Sequence, residues 1–190
     1  MADIKYDRGL LLQVCTKVKD LINPYCEIVT IGGSLRRLVA KCKDIEIVCI
    51  PKFTEEQPLF GESIRESLLE NCDFTALGKL EKNGPRYKQI KHFMERVGNV
   101  MIDLFIVLPP AQYGVILAIR TGSANFSKRL VLSKKHGGFL PENHYIKDGS
   151  LREIRHPDDP PEDHWIYCTP DEETFFKQMQ MTYIEPKDRK

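Results

Sequence analysis

Two short segments rich in isoleucine and valine, Asp44–Ile50 and Val100–Leu108, constrain the fold of this chain most strongly. Each segment stops at proline, the first at Pro51 and the second at Pro109-Pro110. Apolar, β-branched runs with a proline at the end are typical of buried strands. The longer run has nine residues and includes Asp103, whereas a membrane span needs about 18–20 apolar residues. The two segments therefore predict a central sheet in a chain with no transmembrane segment.

The rest of the chain alternates between helical and extended patterns. Helical spacing or helix-start signals mark Asp7–Ile22, Ser34–Ala40, Glu62–Cys72, Ala111–Arg120, Ser123–His136 and the residues from Thr169 onward. Extended patterns mark Cys26–Ile31 and hairpins around Lys82-Asn83-Gly84 and Asp148-Gly149. We expect the last helix to begin with Thr169 as its N-cap and Pro170 at its first position. The pattern predicts an α+β fold, with a mixed β-sheet and packed helices in residues 1–110 and a small α/β subdomain in residues 111–190.

Composition and cysteine usage exclude several classes of protein. The chain has 28 Lys and Arg against 27 Asp and Glu, a net charge of +1, so it is neither a polybasic nucleic-acid coat nor an acidic tail. No apolar signal peptide opens the sequence, so we expect the cytoplasm, the nucleoid or a host-cell interior. Six cysteines without a C-x-x-C pair predict reduced, buried thiols. The segment His156–His164 contains three prolines and is read as a solvated loop rather than a zinc site.

Charge is distributed unevenly along the second half of the chain. Residues 120–155 carry eight Lys and Arg against three acids, and residues 156–176 carry seven acids and no Lys or Arg. Four basic residues of the predicted helix are placed to line a groove for nucleic-acid phosphates: Lys128, Arg129, Lys134 and Lys135. A solvated helix face is the alternative. The hairpin adds further candidates for such contacts: Arg86, Tyr87, Lys88 and Lys91.

The segment Gly32–Arg37 has the composition of an anion-binding turn. It follows a predicted strand and reads Gly-Gly-Ser-Leu-Arg-Arg. Glycine lets the backbone approach a ligand closely, and the arginine guanidinium binds phosphate through a planar fork. A turn followed by a basic surface helix remains the alternative.

Three carboxylates on the predicted strands are candidate metal ligands. Asp44 and Glu46 alternate with isoleucines and therefore face the same side of their strand. Adjacent like charges repel, so such a pair suits a cation, and hard oxygen ligands suit Mg²⁺. Asp103 lies alone in the second apolar strand, where burying a carboxylate without a partner is costly. The alternatives are two solvated acids on an edge strand and one surface-facing acid.

Taken together, these motifs resemble a known signature. The stretch G-S-L-R-R-x6-D-I-E-I-V, followed at a distance by Asp103, resembles the nucleotidyltransferase signature of the polymerase beta-like superfamily. Tyr113–Phe139, with its T-G-S turn, and the terminal Y-x-x-P-x-x-R of Thr169–Arg189 are similar to the family X DNA polymerases. The chain begins almost directly at the catalytic palm, so it resembles the minimal form of the family, with a palm in residues 1–110, a thumb in residues 111–190 and no lyase or fingers region.

The resemblance implies a role for each matching residue. Asp44, Glu46 and Asp103 would hold two Mg²⁺ ions, for which Mn²⁺ could substitute. Gly33, Ser34 and Arg37 would bind the triphosphate of an incoming nucleotide. Four residues would lie beside its sugar and base, with a cis peptide bond after the glycine: Thr121, Gly122, Ser123 and Ser127. The implied partners are primer-template or gapped DNA and a nucleoside triphosphate, with no membrane, and the protein is expected to be a monomer.

The implied activity is DNA-directed DNA synthesis on a primer 3′-hydroxyl, in gap filling or repair. Several positions depart from the family pattern: Glu46 replaces an aspartate, Met101 an arginine, Ile119-Arg120 an aromatic pair, Ser127 an asparagine and Val131 an arginine. Two alternatives therefore stay open. One is a template-independent or non-DNA nucleotidyltransferase that modifies an RNA end, a protein or a small molecule. The other is a catalytically weak nucleotide- or DNA-binding module.

Overall fold

The computed structural model describes residues 4–56, 64–95 and 97–190. The chain divides into two compact units. The first unit comprises Met1–Ile31 and Ala40–Ile106, and the second comprises Gly32–Val39 and Val107–Lys190. The segment that carries the glycine–arginine motif therefore belongs to the second unit, although in the sequence strands of the first unit precede and follow it.

The first unit contains one long helix, α1 (Arg8–Ile22), and nine strands in its described residues. The strands are β1 (Tyr6–Asp7), β2 (Cys26–Ile31), β3 (Lys41–Cys42), β4 (Asp44–Pro51), β5 (Phe53–Glu56), β6 (Ile64–Ser67), β7 (Lys79–Asn83), β8 (Tyr87–Met94) and β9 (Gly98–Ile106). Five of them form a sheet in the order β2-β4-β9-β8-β7, in which only β4 and β9 are parallel. The predicted mixed sheet is confirmed.

The core of the first unit lies on one face of this sheet. Alternation places Ile45 and Ile47 of β4 beside Ile102 and Leu104 of β9 on that face, and all four are fully buried. Helix α1 contacts β2 and buries its own apolar stripe, which includes Leu11, Val14 and Val18. Burying each such side chain stabilises the fold by about 1.5–3 kcal/mol. The opposite face of the two strands carries Asp44, Glu46 and Asp103 together with apolar side chains such as Met101 and Phe105.

The predicted helix Asp7–Ile22 is confirmed, and its start follows from local chemistry. Asp7 is the N-cap, and its carboxylate accepts a hydrogen bond from the Gly9 amide at 2.8 Å. Asn23-Pro24 follows the last turn, where proline cannot continue a helix.

The helix predicted over Glu62–Cys72 is wrong in its described part. Ile64–Ser67 forms β6, which pairs antiparallel with β5, and a short 3-10 turn follows at Leu68–Asn71. Residues 62 and 63 lie outside the described residues. Backbone pairing with a distant strand here outweighs the helical spacing of the apolar side chains.

The second unit combines four helices with a small sheet in its described residues. The helices are α2 (Gly33–Arg36), α3 (Tyr113–Thr121), α4 (Ala124–Leu130) and α5 (Glu172–Gln178), and the sheet contains β10 (His144–Lys147), β11 (Ser150–Glu153) and β12 (Trp165–Ile166). The predicted hairpin at Asp148-Gly149 is confirmed. The second unit has an apolar core to which α3, α4 and α5 contribute: Val115, Ala118, Phe126, Leu130, Leu140, Leu151, Phe175, Phe176 and Met179.

Two predicted helices of this unit have different limits in the structure. The basic helix predicted over Ser123–His136 ends at Leu130, and Lys134–His136 forms a separate 3-10 turn. The last helix begins at Glu172 with Asp171 as N-cap, not at Thr169. Residues 169–171 lie against α3, because the Gly114 amide donates to the Thr169 carbonyl at 2.9 Å and only a glycine fits there.

The described cysteines are all free, and five of the six are buried. Burial raises the pKa of the Cys15 thiol to about 12 and that of Cys72 to about 11, which leaves both uncharged at neutral pH. Within the part of the chain that the structure describes, no helix has the length and apolar character needed to cross a bilayer.

Candidate active site

The three predicted metal ligands lie on one face of the central sheet. Asp44 and Glu46 belong to β4 and Asp103 to β9, and the parallel register places Glu46 directly beside Asp103. Adjacent strands are about 4.8 Å apart, and successive same-face positions on one strand about 6.6 Å apart. All three carboxylates are half-buried, whereas their immediate neighbours along the chain, such as Ile45 and Ile102, are fully buried on the other face. The sheet thus brings together residues from distant parts of the sequence.

Asp103 is held by two neutral donors from β8. The Tyr87 hydroxyl donates to Asp103 Oδ1 at 2.5 Å, and Gln89 Nε2 donates to the same oxygen at 2.8 Å. The register explains this convergence, since Gln89 is the direct cross-strand neighbour of Asp103 and Tyr87 faces the same side two residues earlier. Sequence reasoning missed both roles. The strict alternation of β8 was the signal that could have found them.

The donor set is compatible with a hard divalent cation. Carboxylate oxygens are the ligands that Mg²⁺ and Mn²⁺ prefer, and Mg²⁺ is often held by one or two carboxylates together with substrate phosphates. Among the described residues, no three His, Cys, Asp or Glu side chains are already gathered closely enough to hold a metal ion. For Asp44, Glu46 and Asp103 to bind one metal ion, their side chains would have to turn toward a common point.

The glycine–arginine motif forms a tight turn in the second unit. Gly33 adopts a positive φ of 58° at the start of α2, a conformation that glycine reaches without strain. The helix is a single turn that ends at Arg36, so the helix predicted over Ser34–Ala40 is largely wrong. Leu38 also has a positive φ, of 63°, which turns the chain back after the motif. Ser34 is half-buried in this turn.

Both arginines of the motif bind the T-G-S turn. Arg37 Nη1 donates to the carbonyls of Thr121 and Gly122 at 2.6 and 2.8 Å. Arg36 Nη1 donates to Thr121 Oγ1 at 2.7 Å, and its guanidinium forms a two-point ion pair with Glu172, at 2.8 and 2.6 Å. The sequence identified these segments separately, and the structure joins them inside one unit.

Glu172 is the centre of a buried charge network. Its carboxylate accepts hydrogen bonds from Arg36 and from the fully buried Arg189, near the C-terminus. Burial acts to raise the pKa of Glu172, but the hydrogen bonds and charges of the two arginines outweigh it and hold the pKa below its usual range. The Arg189 guanidinium also lies 5.0 Å from the Phe176 ring and 5.4 Å from the Tyr183 ring. The sequence showed no link between Glu172 and either arginine.

Ser123 and Ser127, which were also predicted to contact the nucleotide, form hydrogen bonds within the second unit. Ser123 Oγ accepts from the Phe126 amide at 3.1 Å and so caps α4, while Ser127 Oγ donates to the Ile119 carbonyl at 2.6 Å. A Cβ added to Gly122 would lie 2.6 Å from Ser127 Oγ, which explains the glycine. The expected cis peptide after Gly122 is wrong, because the cis bond in the described residues joins Pro109 and Pro110.

The predicted nucleic-acid contacts differ in exposure. Four basic residues are exposed, on α4 and on the following 3-10 turn: Lys128, Arg129, Lys134 and Lys135. Lys88, a further candidate, is only 1% exposed, so that prediction is wrong. Its position in β8 faces the core, where its ammonium binds Glu70 at 3.0 Å and Asn83 at 2.5 Å.

No protein-family model matches the sequence, and no curated protein sequence is significantly similar to it. The function is therefore inferred from the residues and their geometry.

Proposed function

We propose that the chain is a metal-dependent nucleotidyltransferase that works as a DNA-directed DNA polymerase of the family X type. The observation that supports this most strongly is the placement of Asp44, Glu46 and Asp103 on one face of two neighbouring parallel strands. In this proposal residues 1–110 form the nucleotidyltransferase palm, and residues 111–190 form the thumb. The proposed reaction is the addition of nucleotides to a primer 3′-hydroxyl, in gap filling or repair.

The three carboxylates would hold two Mg²⁺ ions together with the nucleotide triphosphate. Metals bound there would lower the pKa of the primer 3′-hydroxyl and neutralise charge on the leaving pyrophosphate. The described residues hold no preassembled group of three ligands. We therefore expect the triphosphate oxygens to complete the coordination, as is common for Mg²⁺.

Residues of the glycine–arginine motif would bind the triphosphate. Arg37 is anchored through Nη1 to the carbonyls of the T-G-S turn, which fixes the direction of its guanidinium. Gly33 would let the backbone approach the phosphates, and Ser34 would contribute its hydroxyl. Binding and orienting the phosphates is most of what phosphoryl transfer requires of a protein.

The exposed basic residues would bind the DNA backbone. Lys128, Arg129, Lys134 and Lys135 belong to the stretch with a net charge of +5 between residues 120 and 155. Phosphate contacts of this kind are independent of sequence and weaken as salt is raised. This matches a polymerase that must accept any primer.

One observation favours a second candidate, a nucleotidyltransferase with another acceptor. Ile119, just before the T-G-S turn, packs against the apolar core of the second unit, and Arg120 is exposed. No aromatic ring at these two positions is offered to the sugar of a nucleotide. Discrimination between ribose and deoxyribose in the incoming nucleotide would then differ from that of the family, which leaves room for an enzyme that does not serve DNA synthesis.

The test is primer extension on templated, gapped and untemplated DNA, with each dNTP and rNTP and with Mg²⁺ or Mn²⁺. Asp103→Ala should abolish extension while nucleotide binding remains measurable, because the residue is proposed to bind metal rather than the base. Asp163→Ala, in the exposed loop of residues 156–164, is the matched control and should extend like the wild type. Near-wild-type extension by Asp103→Ala would overturn the proposal. Extension that requires no template would favour the second candidate, and binding without any transfer would indicate a binding module.

A further inference from the structure

We propose that Tyr87 and Gln89 are positioning residues that fix the orientation of the Asp103 carboxylate for metal binding. The inference rests on the proposed function, because it assigns a metal to Asp103. It names two residues of β8 that no motif in the sequence identifies. Neither side chain is proposed to touch the substrate.

The geometry is specific to one oxygen of the carboxylate. Both donors end on Asp103 Oδ1, the Tyr87 hydroxyl at 2.5 Å and Gln89 Nε2 at 2.8 Å. Two donors on one oxygen restrict rotation of the carboxylate about its terminal bond and direct Oδ2 away from β8. Hydrogen bonds to a ligating carboxylate orient the ligand and tune its affinity for the metal. Oδ2 is therefore the oxygen that we assign to the metal.

The two donors are themselves held in place. The Tyr87 ring stacks on Phe105, its cross-strand neighbour, with 5.3 Å between centroids and an interplanar angle of 29°. The Lys82 ammonium also lies over the Tyr87 ring, 5.5 Å from the ring centroid. Gln89 is fixed by its position directly beside Asp103 in the antiparallel pair of β8 and β9. An anchored donor loses little conformational entropy when it orients its partner.

The chemistry of the donors also suits the task. A hydroxyl and an amide are neutral, so they orient the carboxylate without cancelling the negative charge that attracts a divalent cation. An arginine or lysine in the same place would compete with the metal. Met101, the residue of β9 two positions before Asp103 on the same face, has no donor to offer. Orientation therefore comes from the neighbouring strand.

The experiment compares wild type with Tyr87→Phe, Gln89→Leu and the double variant. Binding of Mn²⁺ is measured by electron paramagnetic resonance with a dNTP and no primer, so that no turnover occurs, and single-nucleotide extension supplies kcat and KM. We expect Mn²⁺ affinity of the double variant to fall by about 10- to 100-fold, the usual cost of removing such support. The value of kcat should fall in parallel, while KM for the dNTP changes little and excess Mn²⁺ restores part of the rate.

Tyr167→Phe is the matched control, because it removes a tyrosine hydroxyl that donates to a carboxylate, Glu153 Oε2, at 2.7 Å in the second unit. Its Mn²⁺ affinity should equal that of wild type. A double variant with wild-type Mn²⁺ affinity and kcat would overturn the proposal, even if its melting temperature fell, since that result indicates a structural role only.

The two proposals fail in different ways. A wild-type chain that extends no primer, but whose Mn²⁺ affinity is weakened by Asp103→Ala and by the double variant, would contradict the polymerase and leave the positioning role standing. A wild type that extends primers, with a double variant equal to it, would contradict the positioning role alone. A wild type with no Mn²⁺ affinity would overturn both.

Discussion

Charge is used in opposite ways in two regions of the molecule. One is the carboxylate face, the side of the first unit's sheet that carries Asp44, Glu46 and Asp103. The other is the arginine network of the second unit, in which Arg36 and Arg189 bind Glu172. On the carboxylate face, Glu46 and Asp103 lie side by side on neighbouring strands, and the two hydrogen bonds to Asp103 described above come from neutral groups. In the network, Glu172 is paired with two arginines and nearly fully buried. The first arrangement concentrates like charge at a half-exposed surface, whereas the second neutralises charge inside a core. The comparison supports our proposal that the first region binds a cation, and it indicates that the second region stabilises its own unit.

Removing the central charge of the network should have the largest effect on stability. Glu172→Gln leaves the fully buried Arg189 without a counter-charge, and breaking a buried pair in this way costs about 3–5 kcal/mol. Chemical denaturation followed by circular dichroism measures the change in the free energy of unfolding. A loss below about 1 kcal/mol would show that Glu172 is not the structural centre that the contacts indicate.

The pH dependence of stability sharpens the same point. The pKa of Glu172 is lower in the folded chain than its ordinary value of 4.5. The contribution of the ionised Glu172 carboxylate to the free energy of unfolding is therefore fully present above pH 4.5. It is lost as the pH falls through the lower pKa of the folded state. The difference in melting temperature between wild type and Glu172→Gln should be constant at neutral pH and shrink below pH 4.5. A difference that stays constant down to pH 3 would contradict the assignment.

A matched change on the carboxylate face should have the smallest effect on stability. Glu46→Gln keeps the shape of a side chain that is half-buried. Substitutions outside a packed core usually change stability only slightly. The free energy of unfolding should therefore change by less than about 1 kcal/mol, while Mn²⁺ binding falls. Strong destabilisation would mean that Glu46, like Glu172, has a structural role.

The sequence predicted the carboxylate face better than the network because strand parity is a local property. Alternation with isoleucine was enough to place Asp44 and Glu46 on one side, and the apolar run around Asp103 identified its strand. The partner strand of Asp103 was not readable, since Tyr87 and Gln89 carry no motif and their role depends on the register of β8. The helix predicted over Glu62–Cys72 failed for a similar reason. Residues Ile64–Ser67 pair with β5 and form the strand β6, and the tertiary fold decides such backbone pairing.

The network could not be predicted for a different reason. Arg36 and Glu172 are separated by 136 residues, and neither position shows a local pattern that links them. Thr169 and the residues after it carry helix-start signals, but residues 169–171 are in close contact with Gly114, and the helix begins at Glu172. Interactions of this kind become visible only after the chain is folded.

The assignment of Gly32–Val39 to the second unit has a consequence for the modularity of the chain. A fragment that begins at Val107 lacks Arg36 and Arg37, and therefore loses one counter-charge of Glu172 and both hydrogen bonds from Arg37 to the T-G-S turn. Conversely, deleting residues 32–39 damages the second unit although the cut lies in the first third of the sequence. Gene rearrangement could not transfer the second unit as one contiguous block, because eight of its residues are encoded between the strands of the first.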